Sequence, residues 1–241
     1  MAIINGGNIK GKKITILIVI LVAIVGIVSC FAFIPPSATT VYNDNLSSIV
    51  ELKAMSEGVG ESFGTAEIVK KDGTVVTNAH VITYKRLGET FEFDKYYIRF
   101  ANEDNYRETT LVKYDLKMDI AVLRINNIEG LQILPISIAD SDNLDFGDKV
   151  YAMGNGVNYG ISITQGIVSI PKLYVDYDNE SREVIQSDVT IAEGNSGGAL
   201  LDKKGRMIGM TTFRIRDISG DVIYGLAYSI PINLIIEYLN E

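Results

Sequence analysis

The sequence is nearly devoid of the residues that build disulfides and metal centres. A single cysteine, Cys30, excludes an intramolecular disulfide. A single histidine, His80, excludes a His-rich metal site, and the two counts together exclude a paired Cys-x-x-Cys zinc module. No metal and no cofactor is therefore expected. Basic clusters are absent beyond Lys13, and the net charge is -8, which argues against a nucleic-acid partner. Composition is otherwise ordinary: 47% apolar and 22% charged residues exclude wholesale disorder and a low-complexity fibre. At 241 residues the chain has room for one or two compact domains.

The first 34 residues differ from the rest. Lys10, Lys12 and Lys13 come early, and no acid occurs before Asp44. An apolar run of 21 residues follows from Ile14 to Ile34, broken only by Thr15, Gly26 and Ser29 and ended by Pro35-Pro36. As a helix at about 1.5 Å per residue it would span roughly 30 Å, the thickness of a bilayer core. A cytoplasmic tail (1–13), one transmembrane helix (14–34) and a polar linker (35–45) are the expectation. The lysines would hold the N-terminus in the cytoplasm and place the remainder outside the cell membrane. Two other readings compete. One is a cleaved signal, for which no clear A-x-A site is visible. The other is a lipoprotein acylated at Cys30, since Ile27-Val28-Ser29-Cys30 resembles a lipobox, although Phe31-Ala32-Phe33-Ile34 continue the apolar stretch. Three of the 22 Lys and Arg precede residue 35, leaving 19 against 30 acids, a net -11 for the outer part. Such a surface suits a domain that does not lie against anionic lipid.

From residue 46 onward the pattern is that of β structure. Twelve short runs rich in Val, Ile, Tyr and Thr are strand candidates, from Ile49–Lys53 to Ile223–Ser229. Turn signals separate them, among them Lys71-Asp72-Gly73, Asp145-Phe146-Gly147-Asp148, Lys204-Gly205 and Ser219-Gly220-Asp221. Two small antiparallel barrels or a sandwich would accommodate them. Glu129–Pro135 is the expected linker between halves, giving 46–130 and 131–241 as the two β units. Only Pro231–Asn240 looks helical, with Leu234, Ile235, Tyr238 and Leu239 on one face.

Three residues carry the candidate chemistry. Ser196 lies in Gly194-Asn195-Ser196-Gly197-Gly198-Ala199-Leu200, where closely spaced glycines imply a tight or left-handed backbone. A serine in such a turn exposes its hydroxyl among free N–H groups, which can stabilise charge on an attacked carbonyl. His80 follows the strand-like Val75–Asn78 and is the chain's only imidazole for general-base work near neutral pH. Asp119 opens Asp119-Ile120-Ala121-Val122-Leu123, where partial burial would let it accept from imidazole Nδ1. Asp115 is the rival for that role; Asp119 is favoured because it directly abuts the apolar run.

In the order His, Asp, Ser these segments resemble the chymotrypsin-like serine peptidases, and specifically their HtrA/Deg branch. The resemblance rests on T-N-A-H-V at 77–81, D-I-A-V-L at 119–123 and G-N-S-G-G-A-L at 194–200. Echoes at Phe63–Ala66, Met153–Asn155, Thr164–Ser169 and Gly225–Pro231 extend it over roughly residues 48–235. It implies an all-β fold of two six-stranded antiparallel barrels with a short C-terminal helix and the site in the cleft between them. It implies a serine endopeptidase in which Ser196 attacks, His80 transfers the proton and Asp119 holds His80. The N–H groups of Gly194 and Ser196, with Asn195 between them, would form the oxyanion hole. Thr190, six residues before the serine, would sit at the base of the S1 pocket. Thr211, Thr212 and Phe213, with Tyr224–Ala227 including Leu226, would form its walls, suiting a small or medium apolar P1 residue. Glu193 would stand at its mouth.

The departures from the family pattern are informative. Asn195 stands where many trypsin-like enzymes carry an Asp that pairs with a new N-terminal amine, so activation by N-terminal insertion is not expected. Ile3-Ile4-Asn5-Gly6-Gly7 imitates such an N-terminus but precedes the apolar run. Only about ten residues follow Pro231, so the PDZ domain usual in the branch is not expected here. The expected partners are protein or peptide substrates and, through residues 14–34, the lipid bilayer. A homotrimer is carried as an expectation from the branch, although the segment that mediates it there is not recognisable here. Two alternatives on the same fold are a catalytically silent binding module and an esterase.

Overall fold

The computed structural model describes Ile14 and residues 16–20, 35–177, 180–216 and 222–241. Ile14 and residues 16–20 are helical and largely exposed. The rest of the expected membrane span, residues 15 and 21–34, lies outside the described residues. Among those described, no helix is long and apolar enough to cross a membrane. Two compact units are distinguished, Met1–Pro35 and Pro36–Glu241.

The second unit contains two closed six-stranded barrels. The first is built from β1 (Ile49–Ser56), β2 (Gly60–Ile68), β3 (Thr74–Thr77), β6 (Lys95–Phe100), β7 (Arg107–Asp115) and β8 (Ile120–Ile125), in the order β1-β2-β3-β8-β7-β6. Its strands pair antiparallel, and β1 closes the barrel by pairing with both β2 and β6. The second comprises β9 (Lys149–Gly154), β10 (Ser162–Tyr177), β11 (Glu180–Ser187), β12 (Ala199–Asp202), β13 (Met207–Arg216) and β14 (Val222–Pro231), in the order β10-β11-β14-β13-β12-β9. All twelve expected strands are present, most of them longer at one or both ends.

Period-two alternation explains why several strands read as continuous apolar runs. On β8, Ala121, Leu123 and Ile125 fill the first barrel, while Ile120 and Val122 face outward into a second cluster. That cluster joins the barrels: Ile49, Val76, Ile120 and Val122 meet Tyr151, Met153, Leu201, Met207 and Met210. A strand buried on both faces loses the polar half of its alternation. The interior of the second barrel is separate, built from Val150, Ala152, Val168, Ile185, Leu200 and Ile208 among others.

Three features depart from the sequence reading. Residues 38–45 are not a free tether: Ala38–Asn45 forms helix α1, capped by Ser37 Oγ, which accepts from the Thr40 N–H at 3.1 Å. Val41 is buried, and the Tyr42 hydroxyl donates to the Ile161 carbonyl at 3.0 Å, so the helix is docked on the second barrel. A one-turn helix α2 (Ala79–Ile82) carries His80. After it, β4 (Thr83–Arg86) and β5 (Glu89–Glu92) form a separate two-stranded hairpin with mostly exposed strands. The C-terminal helix α3 spans Ile232–Asn240 and buries Ile232, Ile235 and Tyr238 against the inter-barrel cluster. Lys113 of the first barrel donates to the Tyr238 carbonyl at 2.5 Å, satisfying one of the helix's terminal acceptors.

Candidate active site

His80 and Asp119 come together because their elements do. β3 pairs with β8, so the helix that follows β3 and the turn that precedes β8 lie at the same end of the first barrel. Asp119 adopts the left-handed backbone, φ 57°, a conformation that Asp tolerates better than most residues. The Asn78 amide donates to its carbonyl at 3.0 Å. The Asp119 side chain is buried (4% exposed) while that of His80 stays half open (49%).

The Asp119 carboxylate is surrounded by donors. Oδ1 accepts the His80 backbone N–H at 3.0 Å, and His80 Nδ1 lies 3.0 Å from Oδ1 and 2.9 Å from Oδ2. The Thr212 hydroxyl, from β13 of the other barrel, donates to Oδ2 at 2.6 Å. Arg182 on β11 brings Nη1 to 3.8 Å from the same oxygen. Burial alone would push this carboxyl up. The neighbouring imidazole, the Thr212 hydroxyl and the His80 amide more than offset it, and the group is held below the ordinary carboxylate range. An ionised Asp119 can only accept, so the proton on His80 belongs on Nδ1 and Nε2 keeps its lone pair. For His80, partial burial pulls the imidazole down; the Asp119 charge and hydrogen bond pull it up and win, while Arg182 opposes them. Asp115, the rival acid, accepts the N–H groups of Lys117 (2.7 Å) and Met118 (2.8 Å) and shapes the turn instead.

Ser196 arrives from the second barrel on a loop clamped by the first. Thr65 of β2 donates its N–H to the Ser196 carbonyl at 2.9 Å and its hydroxyl to the Gly194 carbonyl at 2.7 Å. Gly197 has φ 80°, and a Cβ there would collide with the Thr65 carbonyl and the Thr77 hydroxyl. Gly194 has φ 93°, and a Cβ there would strike the Asn155 carbonyl. The two glycines are therefore required by both conformation and space. The Ser196 hydroxyl donates to the Thr212 carbonyl at 3.2 Å, so one threonine contacts both the serine and, through its side chain, the acid.

Among the described residues, no protein acceptor pairs with the N–H of Gly194 or Ser196. The intervening Asn195 directs its N–H to the Ala192 carbonyl at 3.1 Å, so of the expected oxyanion set it supplies no donor to the cleft. The Glu193 carbonyl accepts from Val157 N–H at 2.7 Å. The peptide bond is planar and trans, so anchoring that carbonyl outward turns the Gly194 N–H to the opposite side.

These groups open on a cleft of about 860 Å³ lined by His80, Leu116, Ala192, Ser196, Thr212 and Phe213, together with Glu193 and Arg182. Of the expected specificity residues, Glu193, Thr212 and Phe213 line it. Thr211 does not: it is buried beneath the serine loop, its hydroxyl donating to the Asn195 carbonyl at 2.5 Å. Thr190 and Leu226 also lie outside the lining. Its carbonyl engaged by Thr164 at 2.9 Å, Thr190 is exposed, and Leu226 packs beside Phe213 and Tyr228. Thr65 and Arg182 are the site residues that sequence reasoning missed. The Phe63–Ala66 echo contained Thr65 without indicating its role; nothing local singled out Arg182.

Comparison with known proteins accords with this geometry. A solved HtrA-type protease, AlgW with a tripeptide, superposes with a TM-score of 0.73 at 28% identity over 85% of this chain and 63% of that one. The serine endoprotease DegS of Haemophilus influenzae is 32% identical over 207 residues, 86% of this chain and 57% of DegS. A probable periplasmic DegP-like serine endoprotease of Buchnera aphidicola is 31% identical over 74% of this chain and 36% of its own. The chain thus spans about half the length of the curated relatives it matches, or less. The family model of the trypsin-like peptidase domain matches residues 64–210, which include His80, Asp119 and Ser196. The chain belongs to the trypsin-like peptidase domain family.

Proposed function

We propose that this protein is a serine endopeptidase, tethered to the cell membrane by residues 14–34, that cleaves exposed segments of extracytoplasmic proteins. The observation that carries the reading is the buried, ionised Asp119 holding His80 Nδ1 at the edge of the cleft that contains the Ser196 hydroxyl. Ser196 Oγ rotates from the Thr212 carbonyl toward His80 and attacks the scissile carbonyl. His80 Nε2 takes the proton as the C–O bond forms, and Asp119 stabilises the resulting imidazolium. The N–H groups of Gly194 and Ser196 receive the negative charge on the former carbonyl oxygen. Collapse expels the amine, which takes the proton from Nε2 and leaves an acyl-Ser196 that water hydrolyses by the same route. The neutral lining near the serine, Ile191, Ala192 and Phe213, favours an apolar P1 side chain, with Glu193 disfavouring acids nearby. The tether rests on the 21-residue apolar run and its flanking lysines, and the extracytoplasmic placement agrees with the relatives named as periplasmic.

The test is covalent labelling with a fluorophosphonate probe. Labelling of the wild type that is lost in Ser196→Ala and in His80→Ala is the expected result. Labelling that persists in Ser196→Ala points to another nucleophile. A folded wild type that never labels points to a silent binding module.

A further inference from the structure

Arg182 reaches the candidate triad from an unexpected direction. The hairpin β10–β11 is long: β10 alone runs 16 residues. Among the described residues of β11, only Ile185, Gln186 and Ser187 pair with β14. Among the described residues, the segment Glu180–Val184 pairs solely with Leu173–Tyr177 and forms an arm beyond the barrel ladder. Leu173, Val175 and Val184 root this arm on Phe213 and Tyr228. Its far end touches the β7–β8 turn of the first barrel. Arg182 Nη2 donates to the Leu116 carbonyl at 3.0 Å, Lys117 Nζ lies 3.7 Å from Glu180, and Arg182 Nη1 lies 3.8 Å from Asp119 Oδ2. The Arg182 side chain is only 10% exposed, so its charge acts on Asp119 with little screening by water.

We propose that Arg182 is a positioning residue for the reaction, the side chain by which an arm of the second barrel orients the Asp119 carboxylate of the first. The guanidinium fork uses one nitrogen to fix the turn at Leu116 and another to face Asp119, a two-point hold that a point-like ammonium reproduces only in part. Its charge also competes with His80 for Asp119. Arg182 therefore weakens the grip of Asp119 on an imidazolium and helps to keep His80 neutral and able to accept a proton. Among the described residues, the titratable and charged groups that face or share a cleft with His80 are Asp119 of the turn, Arg182 of the arm, Tyr84 and Lys85 of β4 and Glu193 of the serine loop.

This inference rests on the peptidase reading for its meaning but not for its test, because His80 is the chain's only histidine. Its ring signal, made visible by histidine-selective ¹³C labelling of the full chain in detergent, titrates without ambiguity and without turnover. Arg182→Met should move the His80 midpoint upward, and Arg182→Lys should stay near the wild type. If peptide is cleaved, the acid limb of kcat/KM should move upward with it. Should Arg182→Met not fold, Arg182→Gln, which keeps an N–H donor for Leu116, takes its place with the same expected upward shift. A midpoint unchanged in the neutral variants, or moved equally in Arg182→Lys, overturns the proposal. A protein that hydrolyses no peptide yet shows the expected shifts overturns the peptidase reading and leaves the Arg182–Asp119–His80 coupling standing.

Discussion

Thr212→Val is the most informative single substitution outside the three residues of the proposed triad. Valine has nearly the shape of threonine, so no cavity opens, and what is lost is the 2.6 Å hydrogen bond to Asp119 Oδ2. A hydrogen bond to a charged group contributes about 1.5–3 kcal/mol. The acceptor is buried, which favours the upper part of that range, but His80 and Arg182 still face the carboxylate, which favours the lower part. A loss of about 2 kcal/mol is the expectation, and in a domain of this size it lowers Tm by roughly 4–8 °C. The pH dependence has a definite sign. Asp119 is held below its ordinary value, so its stabilising contribution is complete above the unfolded carboxylate range. It is lost as pH falls through the lower, folded value. The gap between wild type and Thr212→Val should therefore be full at neutral pH and should close below about pH 4. Urea titrations at the two pH values measure it directly. If the whole 2 kcal/mol is also felt in the transition state, kcat/KM falls about thirtyfold. Thr212→Ser keeps the donor and should retain most of both. A Ser variant as weak as the Val variant, or a Val variant with wild-type stability at neutral pH, would refute the role assigned to this hydroxyl.

Four further outcomes are expected. Asp119→Asn should lower kcat by roughly 10⁴ through the wrong imidazole tautomer, whereas Asp115→Asn, which alters only the turn, should cost little; a fluorogenic peptide assay compares them. The acid limb of kcat/KM should lie above the ordinary histidine range, because Asp119 holds the His80 proton; a midpoint below about 6.5 contradicts that reading. Val157 has φ 53° and donates to the Glu193 carbonyl, so Val157→Pro, which loses the N–H and cannot reach that φ, should strip catalysis with little loss of substrate binding. Glu67 is fully buried on β2 with no partner for either oxygen among the described residues, and burial pushes its carboxyl well above the usual range. Folding therefore favours its protonated form, and its contribution to stability falls as pH rises above about 4. Glu67→Gln, which cannot ionise, should gain stability relative to the wild type as pH rises from 4 to 8, read as the shift in urea midpoint.

The sequence by itself determined the β elements and singled out the three residues on which the proposed chemistry rests. Twelve strands were legible because burial on one or both faces imposes apolar runs, and turn glycines such as Gly73, Gly147 and Gly205 carry positive φ where the breaks were expected. The glycines around Ser196 were legible because their backbone excludes any other residue. The hairpin β4–β5 was not legible, since its exposed strands, Thr83–Arg86 and Glu89–Glu92, carry no buried alternation. Helix α1 was read as a tether because a single buried side chain among its apolar residues, Val41, leaves no stripe to find. Tertiary structure decided everything that depends on distance across the chain. Thr212 lies 93 residues from Asp119, Thr65 lies 129 from Gly194, and Arg182 lies 66 from Leu116. Local pattern records the periodicity and backbone geometry of one element. Which threonine meets which carboxylate is set by the closure of two barrels against each other, and only their packing reveals it.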